Sequence, residues 1–247
     1  MKKIILLLLI SFLTFSCNKK QDESAIVNQE TNAANRIGIN KEINKLKEQL
    51  TKAPNDFERA VTSNKIAELE ALKGNVTSMF EYSQKAVKYQ PNLYKSRYLL
   101  GKSYNELGRY QDAIKELEES IQLKSDFAPA HFELGNSLYK MYNYPKAIEE
   151  YLVAIKLDPT LYMAMNNVAL LYAETRKHAE AEQFLKKAIE VKPDFAPAYK
   201  NLGILYETRL KNKQSAIEYY TRYLKARPNA PDRKVVESWI RVLGGAL

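Results

Sequence analysis

Apolar residues in this chain keep helical spacing. Ile39, Ile43, Leu46 and Leu50 are separated by 4, 3 and 4 residues, which lines one face of a helix, while Lys41, Glu42, Lys45, Lys47 and Glu48 occupy the rest. The stripe is under two heptads, too short for an independent coiled coil, so residues 37–59 are expected to form a helix that caps the following domain. Hardly any tract alternates β-branched and polar residues, and only eight glycines occur, so a sheet is hard to place. The expected class is all-α.

Beyond this helix the pattern repeats. DFAPAHFELG, Asp126 to Gly135, returns as DFAPAYKNLG, Asp194 to Gly203, two periods of thirty-four residues later. Leu100-Gly101, Leu134-Gly135, Val168-Ala169 and Leu202-Gly203 fall at equal intervals, as do Ala113, Ala147, Ala181 and, after one inserted residue, Ala216. Pro91, Pro159, Pro193 and Pro228 close four units, with Ser125 at the corresponding place of the other. Glycine inside a helix costs up to about 1 kcal/mol relative to alanine, so Gly101, Gly135 and Gly203 imply close approach of a second helix. The alanine column is expected to supply the facing small surface, with Tyr104, Tyr172 and Tyr206 filling the space beside it. Gly108, Asn143 and Lys177 mark turns between paired helices, and the prolines end the second helices. One helical pair cannot bury its apolar face; stacked pairs can.

These columns resemble the tetratricopeptide repeat, a helix-turn-helix unit of about thirty-four residues. The stretches that carry the resemblance are Arg97-x2-Leu100-Gly101-x2-Tyr104, His131-x2-Leu134-Gly135-x2-Leu138, Met165-x2-Val168-Ala169-x2-Tyr172 and Tyr199-x2-Leu202-Gly203-x2-Tyr206. Arg97, His131, Met165 and Tyr199 stand where the family often has tryptophan. The resemblance implies a right-handed superhelical solenoid of about five repeats: a degenerate one at 60–93, then 94–127, 128–161, 162–195 and 196–230, the last with the insertion. The helix at 37–59 and a second at 231–247 would cap the ends. Asp232 is the expected N-cap of the latter, and Trp239 its core filler.

The resemblance also implies a concave groove lined by the first helix of each repeat. Its inward residues would be Lys95, Tyr98, Lys102 and Asn105, then Phe132, Asn136 and Tyr139, then Met163, Asn166 and Leu170, and finally Lys200 and Ile204. Aromatics, amides and lysines along such a trough suit a peptide. Some family members clamp a terminal carboxylate; Asn136, Asn166, Asn167 and Lys200 echo part of that set, but Phe132 stands where a clamp lysine is expected, so the clamp is not carried over.

The N-terminus carries a different signal. Lys2 and Lys3 precede an apolar run, Ile4 to Phe15, too short for a bilayer span, which needs roughly twenty residues. Cys17, the single cysteine, stands where the run stops. The layout resembles a bacterial lipoprotein signal: residues 1–16 would be removed, Cys17 lipidated, and residues 17–36, polar and free of aromatics, would form a tether. Thr14 departs from the leucine usual there. Such a protein would be exported and held on a membrane facing the periplasm, with Asn18 leaning toward the outer membrane.

No catalytic constellation emerges. His131 and His178 have no partner at metal-ligand spacing and are expected in packing and exposed roles respectively; Glu116, Glu118 and Glu119 suit a solvated helix face. No enzyme activity, cofactor or metal is expected. The formal charge is +9, and Arg209, Lys211, Lys213, Arg222, Lys225, Arg227, Arg233, Lys234 and Arg241 concentrate it near the C-terminus, a patch suited to acidic proteins or anionic headgroups. Nucleic acid is disfavoured for an exported chain with no recognition motif. The expected function is a lipid-anchored scaffold that recruits protein or peptide partners during assembly of an envelope complex. A self-associating structural brace and a localisation adaptor for a cell-wall enzyme are the alternatives.

Overall fold

The computed structural model describes residues 35–246. The expected signal peptide, Cys17 and the expected tether up to residue 34 lie outside the described residues. Twelve helices and no strand occur among the described residues, which are all-α, and the hairpins from residue 94 on stack as a helical solenoid. The chain divides after Tyr89 into two compact units.

The first unit holds α1 (described over 35–52), α2 (Asp56–Leu72) and α3 (Val76–Tyr89). Ile43 and Leu46 of α1 are buried with Ile66 of α2, and Ile39, Leu50, Leu69 and Tyr82 pack around them, so the expected apolar stripe does face the neighbouring pair. Two boundaries differ from the sequence reading. Asn35 and Arg36, assigned to the tether, are helical, and α1 ends at residue 52 rather than 59. Asn55 causes the second difference: its side chain accepts the Glu58 N–H at 2.9 Å and starts α2 there.

The second unit stacks four helical hairpins and a final helix: α4 (Tyr94–Glu106) with α5 (Tyr110–Leu123), α6 (Ala128–Lys140) with α7 (Tyr144–Leu157), α8 (Tyr162–Glu174) with α9 (His178–Val191), α10 (Ala196–Thr208) with α11 (Lys213–Ala226), and α12 (Arg233–Val242). Each second helix also packs on the next first helix, and α4 meets α6 as α8 meets α10. Pro129 and Pro197 sit in the first turns of α6 and α10, where the missing N–H costs nothing.

The hairpin turns share one backbone device. Gly74 and Gly108 have φ of 73°, and Tyr142, Arg176 and Lys211 at corresponding places have 60°, 64° and 54°. This left-handed residue lets the following N–H return to the helix: Arg109 donates to Tyr104 O, Asn143 to Leu138 O and Lys177 to Tyr172 O, at 2.8–2.9 Å. The turns at Asn143 and Lys177 are thus where expected, but the strained position is one residue earlier and is held by side chains that adopt it at a cost.

The glycine column meets large side chains first, and at Gly101 the alanine column too, with Ala113 O 3.2 Å from an added Cβ. A Cβ on Gly101 would stand 2.6 Å from Leu117 Cγ, one on Gly135 2.7 Å from two ring atoms of Tyr151, and one on Gly203 against the Tyr220 ring. The alanines of the second helices are fully buried beside these contacts. Each glycine is therefore the slot into which a bulky residue of its own hairpin fits.

The column where the family often has tryptophan latches each first helix to the loop that leads into it. Arg97 Nε donates to Pro91 O at 2.9 Å, His131 Nε2 lies 3.0 Å from Ser125 O, and Tyr199 Oη donates to Pro193 O at 2.8 Å. In the same way Arg97 reaches Glu116 at 2.7 Å and His131 Nδ1 reaches Glu150 at 2.6 Å, each partner lying on the second helix of its hairpin. Met165 has no donor to offer and is simply buried. Arg233 repeats the motif from α12, donating to Pro228 O at 3.0 Å. Both nitrogens of buried His131 thus face acceptors, which only the imidazolium can satisfy by donating twice. The hydrogen bond to Glu150 holds its pKa above the ordinary value, against the opposing pull of burial.

Candidate functional site: two adjoining clefts on the first helices

The first helices of the second unit line two clefts. One, of about 370 Å³, is bounded by Asn105 and Glu106 of α4, Tyr110 of α5, Glu133, Asn136, Tyr139 and Lys140 of α6, Tyr151 of α7, and Asn167 and Leu170 of α8. The other, of about 410 Å³, is lined by Tyr139, Tyr144, Ala169, Leu170, Leu171, Ala173, Glu174, Leu185, Asn201, Ile204, Leu205, Thr208 and Arg209. Tyr139 and Leu170 belong to both, and both are well exposed for apolar side chains at 38%. The clefts therefore share a wall, one side polar and the other mainly apolar.

Hydrogen bonds tie the polar residues across successive hairpins. Asn105 Nδ2 donates to Glu133 O at 3.0 Å and to Glu133 Oε2 at 3.2 Å, while its own Oδ1 accepts from Ser137 Oγ at 2.6 Å. Asn136 Nδ2 donates to Glu133 Oε2 at 3.3 Å, and Asn136 Oδ1 accepts from Tyr151 Oη at 2.8 Å and Asn167 Nδ2 at 3.2 Å. Asn166 continues the chain to Asn167, and Asn201 Nδ2 donates to Asn166 Oδ1 at 2.8 Å. The network fixes side chains that would otherwise lose rotamer entropy on binding a ligand. Burial pushes the Glu133 carboxyl above the usual carboxylate range and the neighbouring Glu106 charge adds to it; the Asn136 and Asn105 amides and the Lys102 charge oppose. Burial likewise raises the Tyr151 hydroxyl.

The residues expected in the groove divide by role. Asn105, Asn136, Tyr139 and Leu170 line the first cleft, and Tyr139, Leu170 and Ile204 the second. Lys102 acts on Glu133 through space. Phe132 leans on Tyr151 with ring centroids 6.0 Å apart, and Tyr98 meets Phe127 edge-on at 5.1 Å, so both brace the hairpins. Asn166 is buried in the amide network. Lys95 and Met163 are exposed but outside both clefts.

Lys200 is turned to another task. Its Nζ lies 2.5 Å from Asp232 Oδ2, and Asp232 Oδ1 accepts from Tyr223 Oη at 2.5 Å. Asp232 consequently precedes α12 without a side-chain capping bond, unlike the expected N-cap. It ties the final helix to α10 and α11 instead. The Lys200 and Tyr223 bonds hold its carboxyl below the ordinary value, and Tyr223 is raised to about 12 by burial and by this bond. Trp239 packs on Tyr220 with centroids 5.4 Å apart.

His178 is also not where it was expected. It begins α9 half-buried, with Nδ1 shielded from solvent and without a hydrogen-bond partner. No group of three or more His, Cys, Asp or Glu suited to a metal, and no helix long and apolar enough to cross a membrane, occurs among the described residues.

Glu106, Tyr110, Glu133 and Tyr151 were not singled out from the sequence. A signal existed for Glu133: the column Leu99, Glu133, Asn167 and Asn201 turns polar along the first helices, and its polar members reach back to the preceding hairpin.

A stack of helical hairpins with an open, side-chain-lined trough is the build of a protein-interaction scaffold. Models described as TPR repeat and tetratricopeptide repeat match residues 101–141, 128–161 and 169–231, and the chain belongs to the tetratricopeptide-repeat family. No curated protein matches it in sequence. Among solved structures, MamA is 27% identical, covering 66% of this chain and 95% of its own, with a TM-score of 0.58. YrrB, a TPR protein with an unusual peptide-binding site, is 18% identical, covering 72% and 92%, with a TM-score of 0.58. PilF of Pseudomonas aeruginosa is 15% identical, covering 76% and 90%, with a TM-score of 0.66. The last two establish likeness of fold alone.

Proposed function

We propose that the protein is a non-catalytic scaffold, held on a bacterial membrane by lipid at Cys17, that binds peptide segments of partner proteins in its two clefts during assembly of an envelope complex. The observation that carries this reading is the pair of adjoining clefts with Tyr139 and Leu170 as their common, exposed wall. Apolar side chains at that wall supply affinity, and the fixed amides around it supply orientation. YrrB, which has the same fold, is known for a peptide-binding site, and that adds support. The anchor rests on the layout of residues 1–17. An exported, periplasm-facing protein of the outer membrane is the corresponding location.

Co-precipitation from detergent-solubilised membranes tests the binding half. Leu170→Arg and Ile204→Arg place charge in the clefts and are expected to abolish recovery of partners, while Glu149→Arg on the exposed face of α7 leaves it intact. Equal recovery by all three would remove the clefts from the account. Radiolabelled fatty acid is expected to label the wild type and not Cys17→Ser; label on both, or on neither, contradicts the anchor.

A further inference from the structure

The two clefts differ in chemistry, and the difference names a ligand class. Glu133 of α6 and Glu106 of α4 face the first cleft together. Neither carboxylate has an ion-pair partner within 4.0 Å among the described residues, and Glu133 is served only by the amides of Asn105 and Asn136. Tyr110 and Tyr139 stand in the same lining, and aromatic rings of this kind attract a cation to their faces. We propose that the first cleft seats a lysine or arginine side chain of an extended partner peptide, with a nearby apolar side chain of the same peptide in the second cleft. This rests on the peptide-scaffold reading above and specifies which peptide.

Charge complementarity decides the class. Burial of Glu133 and the like charge of Glu106 make two neighbouring carboxylates costly in the free protein. A guanidinium or ammonium seated between them offsets that cost. An acidic side chain would meet two carboxylates and gain nothing. Two lysines stand close: Lys102 acts on Glu133 through space, and Lys140 lines the cleft with its Nζ 6.0 Å from the Tyr139 ring centroid, but neither is ion-paired with Glu106 or Glu133. The amide network from Ser137 to Asn201 holds the carboxylate in place before the ligand arrives.

The second cleft continues from the shared wall with Leu171, Ile204 and Leu205. At the same edge Tyr142 is 79% exposed in the left-handed conformation, edge-on to Tyr144 at 6.2 Å, and Tyr144 in turn is 5.7 Å from Tyr139. The single ring contact with Tyr144 leaves most of the Tyr142 side chain exposed in a left-handed conformation. It extends the apolar wall outward, where a peptide leaving the cleft would pass.

Selection of a phage library of random dodecapeptides on the detergent-solubilised full chain tests the proposal. The wild type is expected to enrich peptides with Lys or Arg followed closely by an apolar residue. Glu106→Gln is expected to weaken the enriched peptides by about tenfold or more, and Glu133→Gln, which keeps hydrogen-bonding capacity, by a similar factor. Glu106 is exposed and in no ion pair among the described residues, so its variant serves even if Glu133→Gln fails to fold. A pool blocked by Leu170→Arg but showing no preference for Lys or Arg overturns the cation seat and leaves the groove reading standing. A pool insensitive to Leu170→Arg, or no enrichment, overturns both.

Discussion

Replacing Gly135 by alanine tests how the hairpins interlock. Alanine in a helix interior gains about 1 kcal/mol over glycine, so propensity alone makes the substitution stabilising. Its Cβ, however, would lie 2.7 Å from both Cδ1 and Cε1 of Tyr151 and 3.2 Å from Cγ. Comfortable carbon contacts begin at about 3.5 Å, so the ring must retreat by roughly 1 Å. Tyr151 is 1% exposed and donates to Asn136, which leaves it nowhere to go without repacking α6 against α7. Overpacking of this kind costs about 1–3 kcal/mol, and loss of the Tyr151–Asn136 bond adds about 1. The net is destabilisation of about 2 kcal/mol, or a Tm lower by roughly 4–8 °C for a protein of this size. Circular dichroism during thermal unfolding reads it directly. Gly38→Ala is the control: no atom stands within 4 Å of its Cβ, so there the propensity gain of up to about 1 kcal/mol is retained. A Gly135→Ala protein as stable as Gly38→Ala would refute the interlock.

Three further outcomes are expected. The folded pKa of His131 is raised above 6.5, so its contribution is complete below pH 6.5 and is lost as pH rises through the folded value; urea midpoints should decline across that window in the wild type and stay flatter in Glu150→Gln. Arg176→Gly and Lys211→Gly relieve left-handed side-chain conformations and should raise stability by about 0.5 kcal/mol each, measured by urea unfolding. Asp232→Asn removes the charge that meets Lys200 and Tyr223, and amide hydrogen exchange should accelerate across α12 while α6 to α9 are unchanged; uniform acceleration would contradict a local tie.

The helical pairs and their register were legible because each hairpin repeats the same local packing, so small and large residues recur in columns. A column records the size of a side chain, not what it meets. Gly135 was readable as a close approach, but its partner Tyr151 was not separable from the neighbouring Ala147. The left-handed residues at Tyr142 and Arg176 escaped because a non-glycine in that conformation leaves no mark in the chain. Lys200 suited a groove by its place on a first helix; its pairing with Asp232, thirty-two residues away, depends on where α12 docks. Glu133 looks like any acid on an amphipathic helix until Asn105 of α4 closes on it. In the latch column the residue types differ, yet Arg97, His131 and Tyr199 share the ability to donate to a carbonyl six residues earlier.

Photo-crosslinking in native membranes, with the probe at Tyr139 and a control probe at Glu149, shows whether a partner occupies the clefts. Tyr139 lines both clefts, whereas Glu149 is exposed on α7 and belongs to neither. A discrete adduct from Tyr139 alone, mapped by mass spectrometry to a partner segment with a basic residue beside an apolar one, is the predicted result. Adducts only from Glu149, or only to a second copy of this chain, would contradict it.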